Sequence, residues 1–153
     1  MSLDPNAFLQ MTVEGANSTQ LELPEEGDYT AMIADIVPRE IKFQTGERAG
    51  QTGIGLDITW QIENPEVKEK LGYTPKPRQS MILDLTPSGG LDMGKGKNVT
   101  LGRIREAVGQ NKDGQPWGPL MLKGQVATIT VKHGTDKDDP AKIYLNVRGV
   151  KAL

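Results

Sequence analysis

The chain of 153 residues contains 36% hydrophobic and 25% charged residues, proportions that predict one water-soluble globular domain. It has no cysteine and a single histidine, His133, which excludes disulfides, thiolate chemistry and a multi-histidine metal site within one chain. No apolar run approaches the roughly 20 residues that span a bilayer, and the beginning of the chain lacks the pattern of a signal peptide. We therefore expect no membrane association, no metal, no cofactor and a cytoplasmic location.

The net charge of −2 conceals an asymmetry along the chain. Residues 1–38 contain seven acidic residues and no Lys or Arg, so the remainder has 18 basic and 13 acidic residues, a net charge of +5. A basic body behind an acidic leading segment indicates a polyanionic partner with an acidic arm that competes for the same surface. On charge alone, however, an ordinary solvated and mildly charged surface is the favoured interpretation.

Residues 1–23 are polar and weakly periodic, and we expect them to form an acidic N-terminal arm ahead of a domain at 24–153. A first strand is predicted at 28–37, and Pro38 favours a strand end or a bulge. The apolar residues that this strand places on one face are Tyr29, Ala31, Ile33 and Val37.

The second strand, beginning at Ile54, has the clearest alternation of apolar and polar residues in the chain. Its expected inward face consists of Ile54, Leu56, Ile58, Trp60 and Ile62. One or two helical turns are predicted between Glu66 and Gly72. A third strand follows at about 78–86, with Met81, Leu83 and Leu85 facing inward.

A short helix is predicted from Asn98 or Thr100 to Val108, with apolar residues at helical spacing and Gly109 just beyond its end. Arg103 falls near the solvent side of that helix, and Arg105 is a second candidate for that side. Two final strands are predicted at 124–133 and 141–149. Their expected inward faces are Ala127, Ile129 and Val131 in the first, and Ile143, Leu145 and Val147 in the second.

The predicted order of elements is therefore β–β–β–α–β–β. Five strands with a short helix between strands 3 and 4 are typical of an OB-fold, a mainly β, five-stranded Greek-key barrel. A β-sandwich with an incidental helix is the alternative.

The segment Gly89–Gly96 nearly matches a phosphate-binding loop and lies between a predicted strand and a predicted helix. However, Gly96 replaces the Ser or Thr whose hydroxyl would hold Mg²⁺. A phosphate-loop enzyme also needs a parallel sheet covered by helices, whereas this chain has one clear helix. We therefore interpret the segment as a mobile basic loop that carries Lys95 and Lys97, and a plain connector is the alternative.

The outer side of the last predicted strand carries Lys142, Tyr144, Asn146 and Arg148. Cations that alternate with an aromatic residue suit binding of single-stranded nucleic acid, because the ring stacks on a base while the cations follow the phosphates. An ordinary exposed strand face is an equally good interpretation.

The loop after the first strand carries Lys42, Phe43 and Arg48 in a glycine-rich context. An aromatic residue beside cations again favours stacking, unless Phe43 folds back over the rim of the barrel. Trp117 is similarly either a stacking platform or a hydrophobic plug. The carboxylates of Asp136, Asp138 and Asp139 are a weak Ca²⁺ candidate, because the spacing lacks the EF-hand glycine and terminal Glu.

Five segments of the span Leu23–Val150 form a recognisable set. They are Leu-Pro-Glu-Glu-Gly-Asp-Tyr before strand one, a Gly-rich turn, Gly-Leu-Asp-Ile-Thr-Trp-Gln-Ile in strand two, Ala-Val-Gly at the end of the helix, and Leu-Lys-Gly-Gln-Val-Ala before strand four. In these segments the chain resembles a family of phage-encoded proteins, many of unknown function, that look like OB-fold single-stranded DNA-binding proteins. The resemblance implies a protein that coats single strands during phage replication or recombination in the host cytoplasm.

Many single-strand binders carry an acidic C-terminal tail that recruits partners, whereas this chain ends Arg-Gly-Val-Lys-Ala-Leu. We therefore expect the acid-rich first 38 residues to take a related role, so that removal of residues 1–22 would strengthen DNA binding at low salt.

Together these observations predict a non-catalytic protein that binds single-stranded DNA. Replication or recombination proteins are further candidate partners, and a homo-oligomer is left open. The predicted contact residues are Lys42, Phe43, Arg48, Lys95, Lys97, Lys142, Tyr144 and Arg148. The alternative is a structural or protein-interaction β-module, such as a virion or accessory component. An enzyme that uses the degenerate phosphate loop ranks third.

Overall fold

Alternating apolar residues in five strands close a barrel in the computed structural model, which describes residues 3–153; Met1 and Ser2 of the predicted arm lie outside it. The strands are β1 Gly27–Lys42, β2 Thr52–Ile62, β3 Arg78–Ile82, β4 Val126–Thr135 and β5 Ile143–Lys151. The helices are α1 Pro5–Phe8, α2 Pro65–Leu71 and α3 Val99–Ala107, with a short 3₁₀ helix at Pro119–Leu122.

The strands neighbour one another in the order β1-β2-β3-β5-β4, and β4 returns to pair with β1. All pairings are antiparallel except that of β3 with β5, which is parallel and joins only Arg78 to Asn146. The prediction of a mainly β, OB-fold-like barrel with α3 between strands 3 and 4 is confirmed. None of the helices in the described part of the chain is long and apolar enough to cross a membrane.

The barrel is filled by the inward faces of its strands. Trp60, Ile58 and Ile33 are fully buried, and the indole N–H of Trp60 donates to the side-chain oxygen of Gln79 at 3.0 Å. Leu101 and Ile104, which are one turn apart on α3, belong to the same core cluster. The helix therefore presents its apolar stripe to the barrel interior.

The first strand is longer than predicted and is bulged at an unexpected position. Its register against β2 shifts between Ile33 and Asp35, so that the buried face moves from Ile33 to Ile36 and Val37 becomes exposed. Pro38 lies within the strand, because β1 beyond Met32 pairs with β2 alone and a proline is tolerated along an open edge.

Three further predictions are wrong in detail. Ile143 was expected to face inward, but it begins β5 at the rim of the barrel, where its side chain is 40% exposed. The third strand ends at Ile82, and Leu85 instead forms an isolated bridge with Leu91. Arg105 is buried, because Trp117 folds over α3 and covers it.

We expect truncation of Ile58 to Ala to lower the free energy of unfolding by about 2–5 kcal/mol, because the fully buried site would be left with a cavity. The matched variant Ile82→Ala removes the same atoms from a side chain that is 53% exposed, and it should cost about 1 kcal/mol or less. Urea denaturation followed by tryptophan fluorescence measures both. Equal losses would contradict the assignment of these two faces.

Candidate nucleic-acid interface

The predicted contact loops lie at opposite ends of the barrel. Gly27, which begins β1, pairs with Val131 in the second half of β4, whereas Lys42, which ends β1, pairs with Thr52 of β2. The β1–β2 loop at 43–51 is therefore at one end, and the β4–β5 turn at 136–142 is at the other. We call the solvent side of β1, β2 and β3 between these ends the outer face.

Two glycines on β2 shape the outer face near the β1–β2 loop. A Cβ atom at Gly53 would lie 2.7 Å from the ring of Phe43, and one at Gly55 would lie 2.8 Å from the side chain of Ile41. Because these two glycines have no side chain, Ile41 and Phe43 can lie flat on β2. Phe43 is half-buried on the sheet, and the guanidinium of Arg48 lies 5.4 Å from the centre of its ring.

Asp84 joins the β1–β2 loop to the segment before α3. Its carboxylate accepts from the backbone N–H of Asn98 at 3.0 Å and lies 3.5 Å from a guanidinium nitrogen of Arg48. The bond from Asn98, followed by the interactions with Arg48 and the charge of Lys97, holds the pKa of Asp84 below its ordinary value. Phe43, Arg48 and Lys97 thus lie at one end of the barrel. Asp84 offsets part of the charge of the two cations.

The middle of the outer face carries two arginines that were not predicted as contacts. Arg39 forms an ion pair with Asp57 at 3.0 Å. Arg78 of β3 pairs with Thr59 of β2, and Ser80 of β3 pairs with Asp57. Both β3 residues therefore lie beside the Asp57 carboxylate. The Ser80 side chain, and then Arg39 and Arg78, lower the pKa of Asp57. Arg39 is thus paired with this carboxylate, and the charge of Arg78 acts on it without forming an ion pair. Arg39 was not predicted as a contact because the first strand was expected to end at residue 37, whereas β1 continues to Lys42.

The opposite end of the interface contains Tyr144 and its neighbours. The hydroxyl of Tyr144 donates to Asp136 at 2.8 Å, and the ammonium group of Lys142 lies 5.5 Å from the centre of the tyrosine ring. Interactions with Tyr144 and then with nearby aspartates raise the pKa of Lys142. The backbone N–H of Asp138 and then the Tyr144 hydroxyl lower the pKa of Asp136. Arg148 is exposed four residues further along β5.

Two predicted contacts do not join either group. Lys42 follows Ile41 in an extended strand, so it lies on the opposite side of β1 from the outer face. Lys95 is exposed in the glycine-rich loop before α3. Trp117, the other candidate platform, is a plug: its ring covers Arg105 at 4.1 Å, and its N–H donates to Gln110 at 2.8 Å.

A groove of about 750 Å³ lies beside Tyr144, and we call it the hairpin groove. One side is formed by the start of β5 and the other by the segment 73–78 that leads into β3, with arm residues 19–23 along its border. Pro75 and Pro77 are buried beneath it. Its charged lining residues are Lys76, Arg78, Lys142 and Asp139.

The sequence matches no protein-family model and none of the curated proteins. The resemblance to phage single-strand binders therefore stays a prediction.

We expect Asp84→Asn to lower the free energy of unfolding at pH 7 by about 1 kcal/mol, because the charge that binds Asn98 and Arg48 is removed. Since the folded pKa of Asp84 is lowered, its contribution is present above the unfolded pKa of about 3.9 and is lost as the pH falls through the folded value. The difference from the unaltered protein should therefore narrow between pH 5 and pH 3.

Urea denaturation across that range measures the effect, and Asp113→Asn in an exposed loop is the control. A difference that stays constant with pH would show that the Asp84 charge does not support the fold.

Proposed function

We propose that this protein is a non-catalytic single-stranded DNA-binding protein that holds the strand across its outer face. The observation that carries the proposal is the distribution of side chains. Arg39 and Arg78 occupy the middle of this face, with an aromatic–cation pair at each end: Phe43 with Arg48, and Tyr144 with Lys142. Cations that follow the backbone, together with rings that accept any base, are the two components of single-strand binding.

The ion pairs of the described residues leave a surplus of positive charge along this path. Arg39 and Arg48 each pair with a carboxylate, whereas Arg78, Lys142 and Arg148 form no ion pair within residues 3–153. A phosphate chain can replace counterions at such groups, and counterion release then supplies salt-dependent affinity. This charge supports a polyanionic partner more directly than an uncharged one.

The aromatic groups supply the component that favours a single strand over a duplex. Phe43 and Tyr144 are both accessible, and bases stacked on such rings contribute about 1–3 kcal/mol each. In a duplex the bases are already stacked on one another, so the rings would gain less. With two such platforms, we expect moderate affinity per protein molecule and little dependence on sequence.

By its resemblance, the proposed setting is phage DNA replication or recombination in the host cytoplasm, with proteins of those processes as further partners.

A protein-interaction module is the second candidate. It is favoured by the apolar side chains of the arm, which are 56–87% exposed. These are Leu3, Phe8, Leu9, Met11 and Val13.

We expect tight binding of an oligonucleotide of about 16 deoxythymidines, the upper end of the site size of one OB-fold, and much weaker binding of a matched duplex. Affinity for the single strand should fall steeply between low and moderate salt. Fluorescence anisotropy of the labelled DNA measures this. No binding at low salt would reject DNA binding and favour the interaction module.

We expect Arg78→Gln combined with Arg148→Gln to weaken single-strand binding about tenfold at low salt and to flatten its salt dependence, because two phosphate contacts would be lost. Lys112→Gln, an exposed cation in the loop after α3, is the matched control and should change neither quantity. If each positive charge removed weakens binding by the same factor in the control and in the double variant, net charge and not the position of these arginines determines the affinity.

A further inference from the structure

The hairpin groove exists because the barrel closes through a very short strand pairing. β3 meets β5 only at Arg78 and Asn146, so the first residues of β5 have β4 on one side and no strand on the other. Segment 73–77 instead follows β2, where the carbonyls of Pro77 and Pro75 accept from the backbone N–H groups of Trp60 and Ile62 at 2.9 and 3.1 Å. A space of about 750 Å³ remains between the two segments.

The arm satisfies the open edge of β5 with a side chain. The amide of Gln20 donates to the carbonyl of Ile143 at 2.6 Å, and its oxygen accepts from the N–H of the same residue at 3.2 Å. Gln20 therefore takes the place of a neighbouring strand at Ile143. Without it, both backbone groups of Ile143 would face the groove unpaired.

Two further bonds fix the arm along the border of the groove. The hydroxyl of Tyr73 donates to the backbone carbonyl of Glu22, and a ring nitrogen of His133 lies 2.7 Å from the carbonyl of Pro24. These contacts use an amide, a hydroxyl, an imidazole and backbone groups, and none of them involves a carboxylate. Within the described arm, residues 3–23, no carboxylate forms an ion pair with a Lys or Arg. The arm is thus attached without neutralising the cations of the groove.

The chemistry of the groove fits part of a nucleic-acid strand. Its volume lies within the range of about 300–1,000 Å³ that is usual for ligand sites. Tyr73 and Tyr144 supply rings held by hydroxyl bonds, and the prolines supply an apolar floor. Three cations against one carboxylate in the lining favour a phosphate-bearing ligand.

We propose that the hairpin groove binds one or two unstacked nucleotides of the DNA strand, with Tyr73 as a base platform and arm residues 19–23 as a wall of the site. This inference rests on the proposed function and deepens it, because it adds a discrete subsite that includes the arm. The proposal also differs from the expectation that the acidic arm competes with DNA. Release of a competing arm would strengthen DNA binding, whereas release of an arm that forms a wall of the site would weaken it.

Point variants of the full chain test the subsite by anisotropy with the deoxythymidine oligonucleotide at low salt. Gln20→Ala frees the arm from Ile143 and should weaken binding about three- to tenfold. Tyr73→Leu removes the ring and should weaken binding about tenfold. Tyr29→Phe is the matched control, since it removes a hydroxyl bond to the carbonyl of Glu25 away from the groove, and it should leave affinity unchanged.

An unchanged tryptophan emission maximum, to which the buried Trp60 and the half-buried Trp117 both contribute, checks that each variant is folded. As a second measurement on the unaltered protein, a 5′-phosphorylated thymidine dinucleotide should shift amide NMR signals within 19–23, 73–78 and 142–146.

The outcomes separate the two proposals. Oligonucleotide binding that is unchanged or tighter in Gln20→Ala, and unchanged in Tyr73→Leu, overturns the subsite and leaves the proposed function intact. Tighter binding in Gln20→Ala alone would establish the arm as a competitor and not a wall. If the unaltered protein fails to bind the oligonucleotide at low salt, the proposed function falls, and the subsite falls with it.

Discussion

The single pairing of Arg78 with Asn146 is the contact on which the rest of the molecule depends. It closes the barrel, but it leaves the start of β5 without a neighbour on one side. That open edge produces the hairpin groove and explains why an arm with little regular structure follows a defined path. Gln20 completes the backbone bonding that a longer β3 would otherwise supply. The same closure places Arg78 between the outer face and the groove.

The charges of the protein are arranged locally and not simply by segment. The leading segment is acidic and the body is basic, yet the described arm is held by neutral hydrogen bonds. The carboxylates that matter for the interface belong to the body: Asp57 in the middle of the outer face, Asp84 at one end and Asp136 at the other. Each fixes the position of a cation or a ring. A phosphate chain would therefore meet side chains that are already oriented.

Strand alternation was enough to predict the fold and the core, because the β2 pattern from Leu56 to Ile62 has one buried side and no interruption. It failed where the register changes. The bulge at residue 34 moved Val37 outward, since alternation carries no signal for an inserted residue. Arg39 was missed because the strand was predicted to end at residue 37, whereas β1 continues to Lys42. Phe43 and Tyr144 were selected as candidate contacts from the sequence because aromatic residues are scarce in this chain. Gln20 and Tyr73 were missed, because their roles depend on contacts between residues far apart in the chain.

The most direct test of the account is an amide chemical-shift map of the protein during titration with the deoxythymidine oligonucleotide. The account predicts that the largest changes fall on β1 to β3 of the outer face, around Arg39, Asp57 and Arg78, and continue to Tyr144 at the hairpin groove. Changes should be absent from the loop that holds Trp117. Changes confined to the apolar residues between Leu3 and Val13, or no changes at all, would contradict it.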